Sequence, residues 1–454
     1  MITASTLVAG AWSSADVLGD VGGLGSVGEL GQANGGVLAT DGQRALEARA
    51  RQILETDVMQ QQIRQVQALY GGDLQGVKPA GKATVDRAAN AIGAAAALYA
   101  VDDDPDRPVL LWETTMPHEF AGLSMPRSGY GIDNPDNVYR DATVAGNSKY
   151  EIRGRITNPG PTDLNFEMRD AIPGTTALTA EGGVQLANLT GDAITSAPDG
   201  SFVITIDAEP ANGRPNHMQI PADGTSLLVV RDLLNDWSRE HPVQLEITRV
   251  GGPPAAPEKP IDQQATEAAE ILAKIAPFWV KYFNQYYYNA TPPNVVRPVR
   301  QRAGARGLST GGWFSLADDE ALVITVDPIG AGSLGIQLSD PWGVAYEYRD
   351  RTSSLNTTQA TPNPDGTYTY VVSRRDPGVH NWLDPEGHEA GMLAIRWQHL
   401  SGTPAVDRAL RAATVVKLDG LKRSRQAGTA YVNPAERLIQ QQLRSAAYDR
   451  RLTG

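Results

Sequence analysis

The run His380-Asn381-Trp382-Leu383-Asp384-Pro385-Glu386-Gly387-His388 gathers the densest set of reactive side chains in the chain. Asp384 and His388 could exchange protons near neutral pH as acid and base, and Trp382 could stack on a ring or cover an apolar ligand. His380 and Asn381 would then add hydrogen bonds to that ligand. The same residue types also close a turn. Asn and Asp bond to nearby backbone, Pro and Gly bend the chain, and a Trp fills the end of a sheet pair. Both readings stay open. His380, Asp384 and His388 are of a type that binds zinc or iron, but they fall in a turn-rich loop, and no strand-borne HxD or HxE pair occurs. No metal and no other cofactor is expected.

Two arginines, Arg231 and Arg396, each close a β-rich run, Leu227-Leu228-Val229-Val230 and Met392-Leu393-Ala394-Ile395. They could clamp a carboxylate or sulfate, or form internal salt bridges with acids of a neighbouring strand. Trp397 follows Arg396 and belongs to the same candidate ligand surface. Further upstream, Phe278, Trp279, Tyr282, Phe283, Tyr286, Tyr287 and Tyr288 put seven of the 29 aromatic residues into eleven positions. Two helical stripes, including Tyr282 and Tyr286, suit burial against a sheet or a subunit, with a polar hydroxyl rim for a ligand cleft. G-x-S-x-G, P-loop and H-E-x-x-H motifs are absent, and carboxylate pairs for glycoside hydrolysis meet only in three dimensions. The sequence therefore names no reaction, and whether one is catalysed stays open.

These residues must be positioned by a unit that occurs twice. Asp199-Gly200-Ser201-Phe202, Asn216-His217-Met218 and the run ending in Arg231 recur as Asp365-Gly366-Thr367-Tyr368, Asn381-Trp382-Leu383 and the run ending in Arg396. Both Asn-to-Arg intervals are fifteen residues. A turn, a β-rich run, a polar loop and a second β-rich run at matched spacing predict a duplicated all-β unit. The copies differ where His217 stands for Trp382 and Gln219 for Asp384. Asn216 with Asn381 and Arg231 with Arg396 read as shared framework.

Five segments are expected. Residues 1–108 form a Gly-rich arm, in which Gly23 to Gly28 formally match a dinucleotide-binding pattern without its strand and helix context, and then a helical region. A long amphipathic helix is predicted over 41–70 and a second over about 84–99. Residues 109–250 hold the first sandwich, 251–307 a Pro/Gly linker and the aromatic helix, 308–400 the second sandwich, and 401–454 a basic helical tail. The last helix starts on Asn433, Pro434 and Glu436 as N-cap, N1 and N3.

The chain has 454 residues, 46 Gly, 30 Pro, no Cys and a net charge of -12. Zero Cys excludes disulfides, thiolate metal sites and cysteine nucleophiles. The negative charge argues against nucleic acid and anionic membrane as partners. From Lys417 onward eight Lys or Arg stand against three acids, which suits docking onto the acidic body or a neighbouring subunit. Neither a secretory start nor an eighteen-residue apolar window is present, so a cytoplasmic setting is expected.

The segment His380 to His388, with Gly391 and the strand ending in Arg396-Trp397, resembles the closing motif of the bacterial family known as domain of unknown function 1214, whose members often carry a companion domain, number 1254. The resemblance is best over 308–400 and recurs more weakly over 137–234. It implies jelly-roll-like β-sandwiches with helical additions, and it implies no agreed reaction or cofactor.

The expectation is a mainly β protein with helical additions: two tandem jelly-roll-like antiparallel sandwiches from an internal duplication, with N-terminal, linker and C-terminal helices. Its expected function is binding of an apolar or ring-bearing metabolite near Trp382. The alternatives are a hydrolase, lyase or isomerase using Asp384 and His388, and a structural homo-oligomer. Self-association is expected in either case.

Overall fold

In a computed structural model the chain is described over residues 36–179, 183–302, 307–421 and 430–453. The Gly-rich arm, with its Gly23 to Gly28 pattern, lies outside the described residues apart from its last positions.

The first sandwich contains β1 (Leu111–Glu113), β2 (Asn137–Ala145), β3 (Lys149–Arg155), β4 (Asp163–Arg169), β5 (Gln185–Thr190), β6 (Ser201–Asp207), β7 (His217–Gln219), β8 (Thr225–Leu233) and β9 (Gln244–Gly251). The second contains β10 (Arg300–Gln301), β11 (Leu308–Ser315), β12 (Glu320–Val326), β13 (Ser333–Ser339), β14 (Ser354–Asn356), β15 (Tyr368–Ser373), β16 (Trp382–Leu383), β17 (Ala390–Gln398) and β18 (Leu410–Lys417). In the first, the sheets run β1-β2-β8-β4-β5 and β9-β3-β6-β7. In the second they run β10-β11-β17-β13-β14 and β18-β12-β15-β16. Every strand of one sandwich thus has its counterpart nine strands later. The match extends to the single parallel pairing in each, β6 with β7 and β15 with β16. The duplication read from the sequence is a duplication of topology.

Alternation along the strands decides what each sheet covers. On β8, Leu228 and Val230 enter the sandwich core with Ile152, Phe166 and Ile204, whereas Leu227 and Val229 join the helical core on the other face. On β17, Leu393, Ile395 and Trp397 point into the second core, whereas Met392 and Ala394 pack on Phe283 and Tyr287. Each central strand is therefore apolar on both faces, which marks a sheet covered on both sides. Burying each such side chain contributes roughly 1.5–3 kcal/mol.

The cover is a helical bundle: α1 (Asp41–Leu54), α2 (Asp57–Gly72), α3 (Pro79–Asp102) and α4 (Ile261–Phe283). The single helix expected over 41–70 is two, because Thr56 ends the first and caps the second, its hydroxyl accepting from the Met59 amide at 3.4 Å. Periodicity alone runs straight through such a cap. Gly93 lets α3 approach α2, since a Cβ there would sit 2.9 Å from Ile63.

The segment expected as a helical tail also needs correcting. Leu410–Lys417 is β18, paired in register with Glu320–Val326, so the second sandwich extends beyond residue 400. The last helix, α5 (Pro434–Thr453), begins on the expected capping box. Asn433 Oδ1 accepts from Glu436 N at 3.0 Å, and Glu436 Oε2 accepts from Asn433 N at 2.8 Å. Its basic residues turn inward: Arg437 pairs with Asp376 at 2.8 Å, and Arg444 and Arg451 stack on Trp237 at 4.3 and 4.2 Å. Among the described residues, no helix is long and apolar enough to cross a membrane.

Candidate functional site

A cavity of about 560 Å³ lies between the outward faces of the two five-stranded sheets, β1-β2-β8-β4-β5 on one side and β10-β11-β17-β13-β14 on the other. Arg231 lines it from β8 and Arg396 from β17. The aromatic end of α4 closes another wall. The helix carries Pro277 without a break and runs on to Phe283, after which the chain widens into a π turn over Asn284–Tyr288, with Tyr287 on the cavity lining beside Trp279 and Tyr282.

A third wall is the strained segment Tyr130-Gly131-Ile132-Asp133. Gly131 and Ile132 adopt φ of 69° and 61°. A Cβ on Gly131 would approach the Trp279 ring to 3.1 Å. Ile132 is β-branched, so its left-handed backbone costs on the order of 1–3 kcal/mol and has to be imposed by its surroundings. Those surroundings are visible: its amide donates to the Gly343 carbonyl at 2.8 Å, and its carbonyl accepts from Arg396 Nη2. Tyr130 donates to the Tyr99 hydroxyl at 2.8 Å on the same side.

The two arginines are held differently. Arg231 forms a short ion pair with Glu167, which also pairs with Arg169. Arg396 donates to Gln337 Oε1 and to the Ile132 carbonyl, both neutral oxygens. Salt bridging with a neighbouring strand thus holds in the first copy, and a neutral amide takes the acid's place in the second. Both guanidinium groups still line the cavity.

Several carboxyl groups sit at its edge. Burial pushes Asp141 up to about 7 against the opposing pull of Arg231 and Arg169. Burial does the same to Asp133, also to about 7, opposed by Arg127 and Arg396. Behind Asp141, burial raises Glu113 well above the carboxylate range, and the charges of Asp141 and Asp102 raise it further. Five buried polar atoms on the lining have no protein partner among the described residues: Asp133 Oδ1, Asn137 Oδ1, Asp141 Oδ1, Trp279 Nε1 and Thr291 Oγ1. Buried polar groups are ordinarily satisfied, so such a concentration on one surface suits a ligand-accepting wall.

The residues singled out in the sequence divide between this cavity and the framework. Arg396 and Tyr282 line it. Tyr286 is half-buried beside Tyr282, with ring centres 4.9 Å apart, and its carbonyl accepts from Arg297. Trp397 is wholly buried in the second core, its indole donating to the Asp327 carbonyl at 2.8 Å. Trp382 is 6% exposed, donates to the Ser373 carbonyl at 3.0 Å and is covered by Arg437. Asn381 ties Thr361 and Thr369, bonding the Thr369 carbonyl at 3.0 Å, just as Asn216 ties Thr195 and Val203. His380 is half-buried against Thr361 and α5. Asp384 is held by Arg351 at 2.8 Å and closes a turn onto the Glu386 amide. His388 stacks on Tyr346 with ring centres 5.5 Å apart, and burial lowers its pKa. The Asn-Trp-Leu-Asp loop therefore closes the end of the sandwich and contributes nothing to the cavity lining.

Sequence reasoning passed over Asp141, Arg169, Trp279, Arg297 and Arg300 as site residues. A signal was present for the strand residues: Tyr139 and Asp141 alternate with Ala142 and Val144 on β2, as Arg231 alternates with Val230 on β8.

Neither a protein-family model nor a curated relative matches the chain. Solved structures do. The VPA0106 protein from Vibrio parahaemolyticus is 10% identical over 63% of this chain and 90% of its own, with a TM-score of 0.37. An uncharacterized protein from Burkholderia cenocepacia is 26% identical over 82% of this chain and 100% of its own, with a TM-score of 0.65. The β-rich fold with flanking helices is shared with that Burkholderia protein.

Proposed function

We propose that the protein binds a ring-bearing small molecule in the cavity between its sandwiches, and not at the Trp382 loop. The observation that supports this most is the set of partnerless buried polar atoms on a lining that also holds Trp279, Tyr282 and Tyr287. A volume of about 560 Å³ falls in the range of small-molecule sites. The aromatic faces would stack on a ring, and the orphaned donors and acceptors would fix its orientation. The abundance of charge on the walls turns the reading from an apolar metabolite toward a polar one. The resemblance to the domain 1214 family adds no ligand to it.

A panel of phenols, benzamides, benzoates, sugars and terpenoids, read by melting temperature and tryptophan fluorescence, tests the proposal. A bound compound at a hundredfold excess over its Kd stabilises by roughly 2.7 kcal/mol, a rise of several degrees at most. Its fluorescence change should disappear in Trp279→Phe. If no compound shifts the melting temperature, or if the change survives that substitution, the cavity is not the site.

An enzymatic reading now rests on Asp141. With Asp133 it is one of two cavity carboxyls that burial raises to about 7, a value that suits proton transfer at neutral pH. Asp141→Asn would then abolish turnover of a bound compound and spare its affinity. Self-association is a separate proposal, supported by Leu438, Ile439 and Leu443, which expose 55%, 55% and 68% of their surface on α5. Light scattering on the eluting peak decides it.

A further inference from the structure

The two cavity-facing sheets can be compared residue by residue, because their registers match. In the first sandwich, Glu113 on β1 lies opposite Tyr139 on β2, and Tyr139 lies opposite Arg231 on β8. In the second, Arg300 on β10 lies opposite Ser309 on β11, and Ser309 lies opposite Arg396 on β17. Directly opposed residues share a face of the sheet, and Arg300, Ser309 and Arg396 all line the cavity. Adjacent strands are about 4.8 Å apart, so the three backbone positions that carry these side chains span roughly 10 Å.

The charge balance of this row is what sets it apart. Its counterpart ends in Glu113, whose carboxyl burial pushes well above the carboxylate range, and the charge that balances Arg231 comes from Glu167. Arg396 hydrogen-bonds only to neutral oxygens, and the acid whose charge it feels is the buried Asp133, which forms no ion pair with it. Arg300 has no ion-pair partner among the described residues. Arg297, on the same side, donates from Nε to the Gly311 carbonyl at 3.1 Å and lies 4.3 Å over the Tyr287 ring, again without an acid. A partly buried cation without an ion-pair partner gains from an anion brought to it; Arg396 and Arg297 are partly buried, and Arg300 is exposed at the sheet edge. Guanidinium forks match the two oxygens of a carboxylate or phosphate, and a serine hydroxyl can add a third donor.

We infer that the cavity takes an anionic ligand, a ring bearing a carboxylate or phosphate, and that its oxyanion is held on the Arg300–Ser309–Arg396 row of the second sandwich. The inference rests on the cavity being the binding site. The aromatic wall then receives the ring and the row receives the charge.

Isothermal titration of the full chain with benzoate, phenyl phosphate, benzamide and inorganic phosphate tests it. Benzoate and phenyl phosphate should bind at least tenfold more tightly than benzamide, and which of the two is preferred tells carboxylate from phosphate. Arg300→Gln, at an exposed edge position, should weaken the better anion roughly tenfold and leave benzamide unchanged. Arg396→Lys keeps the charge without the fork and should also weaken it, and a retained melting temperature separates this from unfolding. Inorganic phosphate should compete with the ring-bearing anion. Equal affinity for benzoate and benzamide, or anion binding indifferent to both substitutions, overturns the oxyanion row and leaves the cavity reading standing. Failure of every probe to bind overturns both.

Discussion

The two sandwiches share strand order, register and the Asn hooks at Asn216 and Asn381, yet their cavity-facing sheets are charged very differently. Around Arg231 the first copy places Arg169, Glu167, Asp141 and Glu113; the register-matched positions around Arg396 hold Ser339, Gln337, Gly311 and Arg300. The first copy is a self-compensating network in which two arginines share Glu167 and buried acids sit beside them. The second has no acid at these strand positions, and the carboxyl that Arg396 acts on, Asp133, comes from the segment before β2. The shared Asn hooks report scaffolding, whereas the shared Arg231 and Arg396 sit in surroundings that have parted. The differences at Trp382 and Asp384 lie in the loop at the sandwich end, away from the cavity lining.

The contrast can be broken most severely at Glu167. Glu167→Gln gives the first copy the second copy's amide and leaves Arg169 and Arg231 without their shared partner in a buried site. A loss of about 3–5 kcal/mol is expected in urea denaturation, and a loss under 1 kcal/mol would mean that the network does not hold the first sheet.

A smaller effect follows from the raised carboxyls. Asp133 and Asp141 titrate at about 7 in the folded chain and at about 3.9 when unfolded. The folded state therefore binds more protons between these values, and stability should fall as pH rises from about 4 to 7. Asp141→Asn should remove about half of that fall, on the order of a few kcal/mol. Denaturation at a series of pH values would show it, and an unchanged slope would mean that Asp141 is already ionised.

The reciprocal exchange is gentler. Gln337→Glu supplies Arg396 with an acid and should cost roughly tenfold in affinity for a ring-bearing anion, with little change in stability. Titration calorimetry measures it; retained affinity would show that Arg396 is not the cation that matters. Least of all should happen at His388. His388→Ala is expected to leave anion affinity unchanged and to cost under about 1 kcal/mol, so a tenfold loss of binding would return the site to the Asn-Trp-Leu-Asp loop.

Much of the fold was legible because it is written in local patterns. Period-two runs such as Tyr150, Ile152 and Gly154 marked strands, Asn433 with Glu436 marked a helix start, and the repeat marked two equivalent units. Leu410–Lys417 was misread because Arg411, Ala412 and Ala413 suit a helix as well as a strand, and only pairing with β12 decides between them. Arg396 and Tyr282 were visible by type. Their convergence was not, because the cavity forms where faces from residues 139 and 396 meet, and no local spacing records that meeting. Ile132 is the extreme case: a β-branched residue gives no hint of a left-handed backbone, which here is imposed by Gly343 and Arg396.

The cavity lies between the copies and belongs to neither. A lone unit of this design would show its outward arginine to open solvent and lack a second wall, so two separate units would have to meet to enclose such a cavity. Fusing them removed the dependence on concentration. It also released the two walls from having to be identical, which is the condition under which one could keep its acids and the other could lose them.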